Sequence, residues 1–355
     1  MRLPCLTAFV FAGALTGCTG GPPPPVTFTL ADLGTLGGTE SYACAINDGG
    51  EVAGYSTTKD STEDKLDVHT VKWTGKAAVD LGPIGGSPGC SQGINNAGQV
   101  VGYSFNAAAS SVHATLWNGT TPSDLGTVAG RTSVAVGINA KGQVAGNSTF
   151  SETALTHAAL WSDGTATDLG TLGGRNSSAT GINDSGWVVG YAETTGGSPH
   201  AVVWKEGKAT DLGMLPYGDD SFAMAINNRG VAVGYSNIYT TDTHAAVWAG
   251  GKVLDLRTLG GAFSMAFAIN DAGIAVGNAA LKRNSKTHAA LWIRGPIYDL
   301  NDMLDASGRG WTLLEARGIN ASGQIAGWGK APSGQVHGFL LTPNKPIPLP
   351  AKGGS

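Results

Sequence analysis

The sequence predicts an all-β fold, a seven-bladed β-propeller of four-stranded antiparallel blades. Three observations carry that prediction. First, a phrase that opens on histidine recurs along the chain and reads Thr-His-Ala-Ala-Leu-Trp at both 156–161 and 287–292. Second, all seven histidines open a copy of it: His69, His113, His157, His200, His244, His288 and His337, spaced by 44, 44, 43, 44, 44 and 49 residues. Third, the chain holds 55 glycines and only 14% charged residues, with 41% apolar content. That composition supports a packed core built from short strands and many tight turns, not disorder.

Three further phrases keep the same beat. Asp-Leu-Gly begins at Asp32, Asp80, Asp124, Asp168 and Asp211, and changes its third residue at Asp255 and Asp299. Ile-Asn-x-x-Gly places Asn47, Asn95, Asn139, Asn183, Asn227, Asn270 and Asn320. A Val-Gly-Tyr-like strand carries Gly54, Gly102, Gly146, Gly190, Gly234, Gly277 and Gly327. Each repeat therefore holds four short β-type runs. The Asn-x-x-Gly segments read as Asx-type turns, and Asn118-Gly119 reads as a hairpin turn. Four antiparallel strands in about 44 residues are the size of a propeller blade. The chain enters on a fourth-strand phrase at 27–32 and leaves on a third-strand phrase at 337–341. Pairing the two closes the ring and removes two sheet edges.

The strand before each repeat Asn is the inner one. Four residues before that Asn stand Ala43, Ser91, Ala135, Ala179, Ala223, Ala266 and Ala316, and two before it stands Gly or Ala. Such small residues suit the crowded axis, with larger residues on the opposite face for the neighbouring blade. His and Asp are 11 residues apart in six copies: His69–Asp80, His113–Asp124, His157–Asp168, His200–Asp211, His244–Asp255 and His288–Asp299. A hairpin loop centred between them sets the two side chains directly opposite, where imidazole N–H can donate to carboxylate. Trp follows four residues after His, with Leu341 in its place in the last copy. Seven equivalent histidines in seven blades do not converge on one ion or substrate, so the pair is expected to be structural. It resembles the His–Asp–Trp network of WD-type propellers.

The N-terminus reads as an address. Arg2 precedes an apolar run at 3–15 that is too short for a permanent span, followed by Leu15-Thr16-Gly17-Cys18. That tetrapeptide resembles the lipobox of bacterial lipoproteins, which implies a signal peptide at 1–17 and lipidation of Cys18. Residues 18–25, rich in Gly and Pro, are expected to be a semi-stiff spacer. The propeller is expected over 26–343 and a flexible tail over 344–355. The repeat phrases, together with Asp-Leu-Gly-Thr-Leu-Gly-Gly at 32–38 and 168–174, resemble the HAF family of bacterial extracellular repeat proteins. The resemblance covers 27–343 and implies export to the envelope or surface, with no activity to carry over. Thr19 after Cys18 favours the outer membrane by the same analogy.

Candidate sites follow from where the repeats vary. The second links (56–68, 104–112, 148–156, 192–199, 236–243 and 279–287) share one face with the links between blades, and variable loops on a rigid scaffold are where binding concentrates. The link into the last blade is longer, and the candidate ligand-binding residues lie on or after it: Asp302, Asp305, Arg309, Trp311, Glu315 and Arg317. Glu315 and Arg317 can equally pair with each other. Acids at 59–67 match no EF-type calcium loop. Tyr239 and Trp187 are aromatics that could stack on a sugar or pack in the core. An exported chain permits a disulfide between Cys44 and Cys90. The net charge of −4 without a basic stripe argues against nucleic acid. No cofactor or metal is called for, and a monomer is expected. Three readings stay open: a non-catalytic binding module for an envelope protein or glycan, which is favoured; a lyase or hydrolase with acids at the axis; and a structural spacer.

Overall fold

In the computed structural model the described residues are 26–62, 66–85, 89–108, 110–150, 155–239, 242–284 and 286–349. The expected signal peptide, Cys18, its spacer and residues 350–355 lie outside them. Among the described residues twenty-eight strands form seven blades. Blade one contains Gly37–Ile46, Glu51–Thr58, Val68–Thr74 and Ala77–Asp80, paired in chain order. Blades two to six repeat this over 89–124, 133–168, 173–211, 221–257 and 260–299, a lone parallel bridge between Thr243 and Phe263 joining the fifth to the sixth. Blade seven closes the ring as expected. Its strands Thr312–Ile319, Ile325–Lys330 and Val336–Pro343 are completed by Phe28–Asp32, with Leu30 opposite Leu341.

Small inner-strand residues do what their size predicts. Ala43, Ser91, Ala135, Ala179, Ala223, Ala266 and Ala316 are all buried. Each sits beside a register shift, where the inner strand bulges by one residue before its Asn. The bulge brings backbone close to the second strand. A Cβ on Gly54 would lie 1.9 Å from the Tyr42 carbonyl oxygen, and one on Gly190 1.9 Å from that of Ser178. Only glycine fits there, which accounts for the repeated Val-Gly-Tyr phrase.

The repeat asparagines link the blades around the axis. The Nδ2 of Asn47 donates to the Asn95 carbonyl at 3.1 Å, and the same bond runs from Asn95 to Asn139, Asn139 to Asn183, Asn183 to Asn227, Asn227 to Asn270, Asn270 to Asn320, and Asn320 back to Asn47. Each Asn Oδ1 meanwhile accepts backbone N–H groups of its own turn, as Asn183 does from Ser185 and Trp187. The Asx turn predicted from sequence is present, and the same side chain also holds the next blade.

The blades are packed by aromatic cores. Trp73, Trp117, Trp204 and Trp292 are almost fully buried, each burial stabilising the fold by on the order of 4 kcal/mol. In blades one and three the Trp ring lies against the second-strand glycine: Trp73 on Gly54, Trp161 on Gly146. In blade seven Phe339, two residues earlier in phase, takes that place against Gly327. Leu341, which occupies the Trp position in sequence, is buried without replacing the ring.

The Asp-Leu-Gly phrase is a strand stop. The Asp carboxylate accepts the N–H two residues on, at 2.8 Å for both Asp80–Gly82 and Asp168–Gly170. That residue has positive φ, 60° at Gly82 and 69° at Gly170, and Leu81 and Leu169 are buried between. The start of the C-terminal tail differs from the loose segment expected. Asn344 exchanges backbone and side-chain hydrogen bonds with Thr27, and Ile347 packs on the core of blades six and seven. Arg257 occupies the glycine position of the strand stop with φ 64°. Its Asp255 contact uses only backbone N–H, so Arg257→Gly should raise the unfolding free energy by about 0.5–1 kcal/mol in urea titration. A fall in stability would show that the arginine side chain outweighs its backbone strain.

Candidate functional site

The propeller has two unlike faces. Tight turns of the Asn-x-x-Gly type and the outer hairpins occupy one; the second links and inter-blade links occupy the other. The histidines stand at the rim of the long-link face. All seven Nδ1 atoms meet an Asp carboxylate at 2.6–3.0 Å: the six expected pairs, plus His337 with Asp32 across the ring closure. The pairs are diagonal, not directly opposite as expected. Asp80 faces Val71 and Asp168 faces Ala159, each two residues past the histidine. The hairpin loops lie one residue further on than predicted, at 119–120 in blade two, because the residues with positive φ fall there, as at Asp163-Gly164 and Glu206-Gly207. Each Asp therefore serves two masters, the imidazole and the strand-stop N–H. The histidine is a strut.

A third set of polar contacts joins blades at mid-radius. Ser133, Ser177, Ser221 and Ser264 are buried on inner strands. Each hydroxyl accepts the N–H of the residue after the preceding blade's histidine, at Ala114, Ala158, Ala201 and Ala245, and donates to that blade's strand-stop carbonyl. These serines recur six residues before the repeat Asn, a spacing that marks them in the sequence. The Gly-rich links hold themselves similarly: the Thr35 hydroxyl donates to the Gly38 carbonyl and accepts from Gly37 N–H, and Leu36 N–H reaches Ser56. Those amides are turn contacts.

The candidate ligand-binding residues do not form one site. Glu315 pairs with Arg317 at 3.2 Å and accepts from Asn278 of blade six at 2.8 Å. Arg317 lies over the Phe267 ring of the same blade at 4.6 Å. Burial pushes the Glu315 carboxyl up, while Arg317 pulls it down less strongly. The pair staples blade seven to blade six. Asp305 belongs elsewhere. It accepts from Thr29 at 2.5 Å and from the Ser307 N–H at 2.8 Å, and hydrogen bonds from Ser307 and then Thr29 hold its carboxyl below the usual range. With Asp305 N–H bonded to the Phe28 carbonyl, the link 301–311 runs along the closing strand and covers its edge. Asp302 lies within a short 3-10 turn there, Arg309 closes the next turn through its backbone, and Trp311 packs edge-on against His337 and Phe339.

At the axis on the tight-turn face, a cavity of about 210 Å³ is lined by the seven repeat Ile-Asn pairs. Asp48, Asp184 and Asp271 stand at its mouth, already accepting from Asn96, Asn228 and neighbouring backbone N–H groups. Among the described residues no group of three or more His, Cys, Asp or Glu is placed to hold a metal ion. The Cys44 thiol points at the Tyr42 carbonyl, 3.8 Å away. The side chain of Cys90 and residues 63–65 of the acidic loop lie outside the described residues. Trp187 lies over the Gly230 turn of the next blade under the Lys205 ammonium, on the tight-turn face.

On the long-link face two exposed aromatic rings stand together. Tyr239 stacks on Tyr217, centroids 5.3 Å apart and planes 10° apart, with relative exposures of 60% and 77%. Tyr217 sits in Leu-Pro-Tyr-Gly, a sequence that reads only as a turn, so its ring was not singled out.

No family model matches the chain, and no curated protein matches it. Among solved structures it is similar to a puromycin-hydrolyzing peptidase of Mycobacterium tuberculosis, at 10% identity and TM-score 0.51, covering 94% of this chain and 58% of that one. It is also similar to TolB from Acinetobacter baumannii, at 12% identity and TM-score 0.48, covering 84% and 65%. A gluconolactonase from Xanthomonas campestris matches at 9% identity and TM-score 0.43, covering 92% and 99%. The chain thus spans less than two thirds of the first two proteins. At these identities the likeness bears on the fold alone, and the fold is a β-propeller.

Because its carboxyl is raised in the fold, Glu315 binds its proton more tightly there than in the unfolded chain. Its contribution to stability is therefore present at low pH and lost as pH rises from about 4.5 through the folded value. Glu315→Gln should flatten the fall of unfolding free energy between pH 4.5 and 7. Superimposable pH profiles for the two proteins would mean that the pair with Arg317 cancels the cost of burial.

Proposed function

We propose that this chain is a lipid-anchored binding propeller of the bacterial envelope, built from HAF-type repeats, which recognises an envelope partner through its long-link face. The observation that carries the reading is the opposition of the two faces. Thr27 and Asn344 are clasped at the tight-turn side, so the chain that leads from Cys18 reaches the ring there. An anchor at Cys18 would hold that side toward the membrane and turn the variable links outward.

The chemistry of the rim supports binding over catalysis. Every histidine is held by an Asp that also stops a strand, and the Glu315–Arg317 pair braces two blades. A hydrolase or lyase needs an acid or base free to move a proton, and these groups are occupied in holding the ring. The links differ in length and sequence from blade to blade while the strands keep their repeat phrases, which is how a fixed scaffold acquires a specific surface.

The test is retention on separate envelope fractions: polysaccharide, peptidoglycan and solubilised membrane proteins. One fraction should retain the chain. A variant in which links 56–68 and 104–112 are shortened to the length of 192–199 should pass through with an unchanged unfolding midpoint. Equal retention of both proteins, or retention of neither by any fraction, would contradict the reading.

A further inference from the structure

We infer that Tyr217 and Tyr239 form a carbohydrate platform, taking a neutral pyranose ring on the long-link face; this rests on the binding reading above and names its ligand class.

The argument begins with two side chains in costly positions. Tyr217 has φ 68° and Tyr239 φ 58°, a region that glycine or asparagine ordinarily fills. Tyr217 follows Pro216 in a turn closed by Gly218 N–H to the Leu215 carbonyl at 3.2 Å. A turn of this pattern, with proline second and positive φ third, calls for glycine in the tyrosine's place. Both rings are largely exposed, so neither is repaid by burial. Strain and exposure at two contacting residues together point to a role outside the fold.

The platform is also held rigid. Tyr239 N–H donates to the Tyr217 carbonyl at 3.2 Å, and Asn237 N–H to the Asp220 carbonyl at 3.1 Å. Leu215 is buried and its N–H reaches the Ser236 hydroxyl, which donates on to the Asp220 carbonyl. A Cβ on Gly218 would lie 2.2 Å from the Asn237 carbonyl oxygen, so the link is pressed against the strand beneath it. A surface fixed before its ligand arrives loses little entropy on binding.

The size and chemistry select the ligand. The exposed apolar surface here is two rings; the other exposed large apolar side chains, such as Leu66, Phe150 and Leu254, stand on other links or on the outer strand. A specific protein interface needs roughly 800 Å² on each partner, far more than two rings present. One pyranose needs a flat aromatic face for its C–H groups and polar atoms at the edge for its hydroxyls. Asp219 and Asp220 lie on the tyrosine's own link, and Asn237 meets Asp220 at 3.4 Å. These carboxylates accept from hydroxyl groups and repel uronic acids.

The experiment is calorimetric titration of the whole chain with chitotriose, cellotriose and trigalacturonate. At least one neutral trisaccharide should bind, and trigalacturonate should not. Tyr217→Ala should weaken binding about tenfold, and Tyr217→Phe should stay within about threefold of the native chain. Tyr217→Gly adds a second readout, since it should lose binding while its unfolding midpoint rises, the reverse of what a purely structural tyrosine would show. Failure of both neutral trisaccharides to bind, or unchanged binding by Tyr217→Ala, would overturn the platform. If the tyrosine variants still bind the envelope fraction while the link-shortened variant does not, the binding face stands and its ligand is a protein.

Discussion

Everything in this molecule depends on the closed ring of seven asparagine side chains. A four-stranded blade cannot bury both its faces alone and needs a neighbour on each side at a fixed angle. Side-chain packing supplies attraction without direction. The Asn Nδ2 supplies direction, because it donates to one carbonyl of the next blade while its Oδ1 is held by its own turn. The amide is buried, so each donor that missed its acceptor would cost about 1–3 kcal/mol. That cost recurs seven times and is removed only when the seventh blade meets the first, at Asn320 to Asn47.

Other repeat phrases repeat this logic at larger radius. Buried serines join blade to blade at mid-radius, and His–Asp pairs hold the outer strands at the rim. The result is a division of labour. Residues that recur hold the ring, including the types usually sought as catalysts. Some residues that vary brace the last two blades, as Glu315 and Arg317 do, while others stand exposed on the long-link face, and two of those are tyrosines in strained backbone. Positive φ at non-glycine residues also occurs in the outer hairpins, at Asp163, Glu206 and Arg294, but large exposed aromatic rings in that backbone stand on the long-link face.

Much of this was legible in the sequence. Blade number, the inner strand, ring closure and the His–Asp partnership all follow from phrases with a constant period, because a repeated environment demands repeated residues. Contacts between repeats were less legible. Asn183 and Asn227 are 44 residues apart, and a local turn motif fully accounts for an asparagine there, so nothing in the string asks for a second role. The hairpin register was misread by one residue because two positions per loop can carry the positive φ. Glu315 and Arg317 were rightly seen as able to pair, but Asp302, Asp305, Arg309 and Trp311 are close in sequence for a different reason: their link covers the edge of the closing strand. Tyr217 lay in a turn signature that hid its ring.

The most direct measurement is the unfolding free energy of Asn183→Asp beside the native chain at pH 7. The substitution keeps the Oδ1 that accepts from Ser185 and Trp187, and puts an oxygen where the donor to the Asn227 carbonyl stood. If the inter-blade ring governs the fold, this single atom should cost about 2–4 kcal/mol. A loss below about 0.5 kcal/mol would mean that the turn alone matters and that the ring of asparagines follows from the packing of the blades.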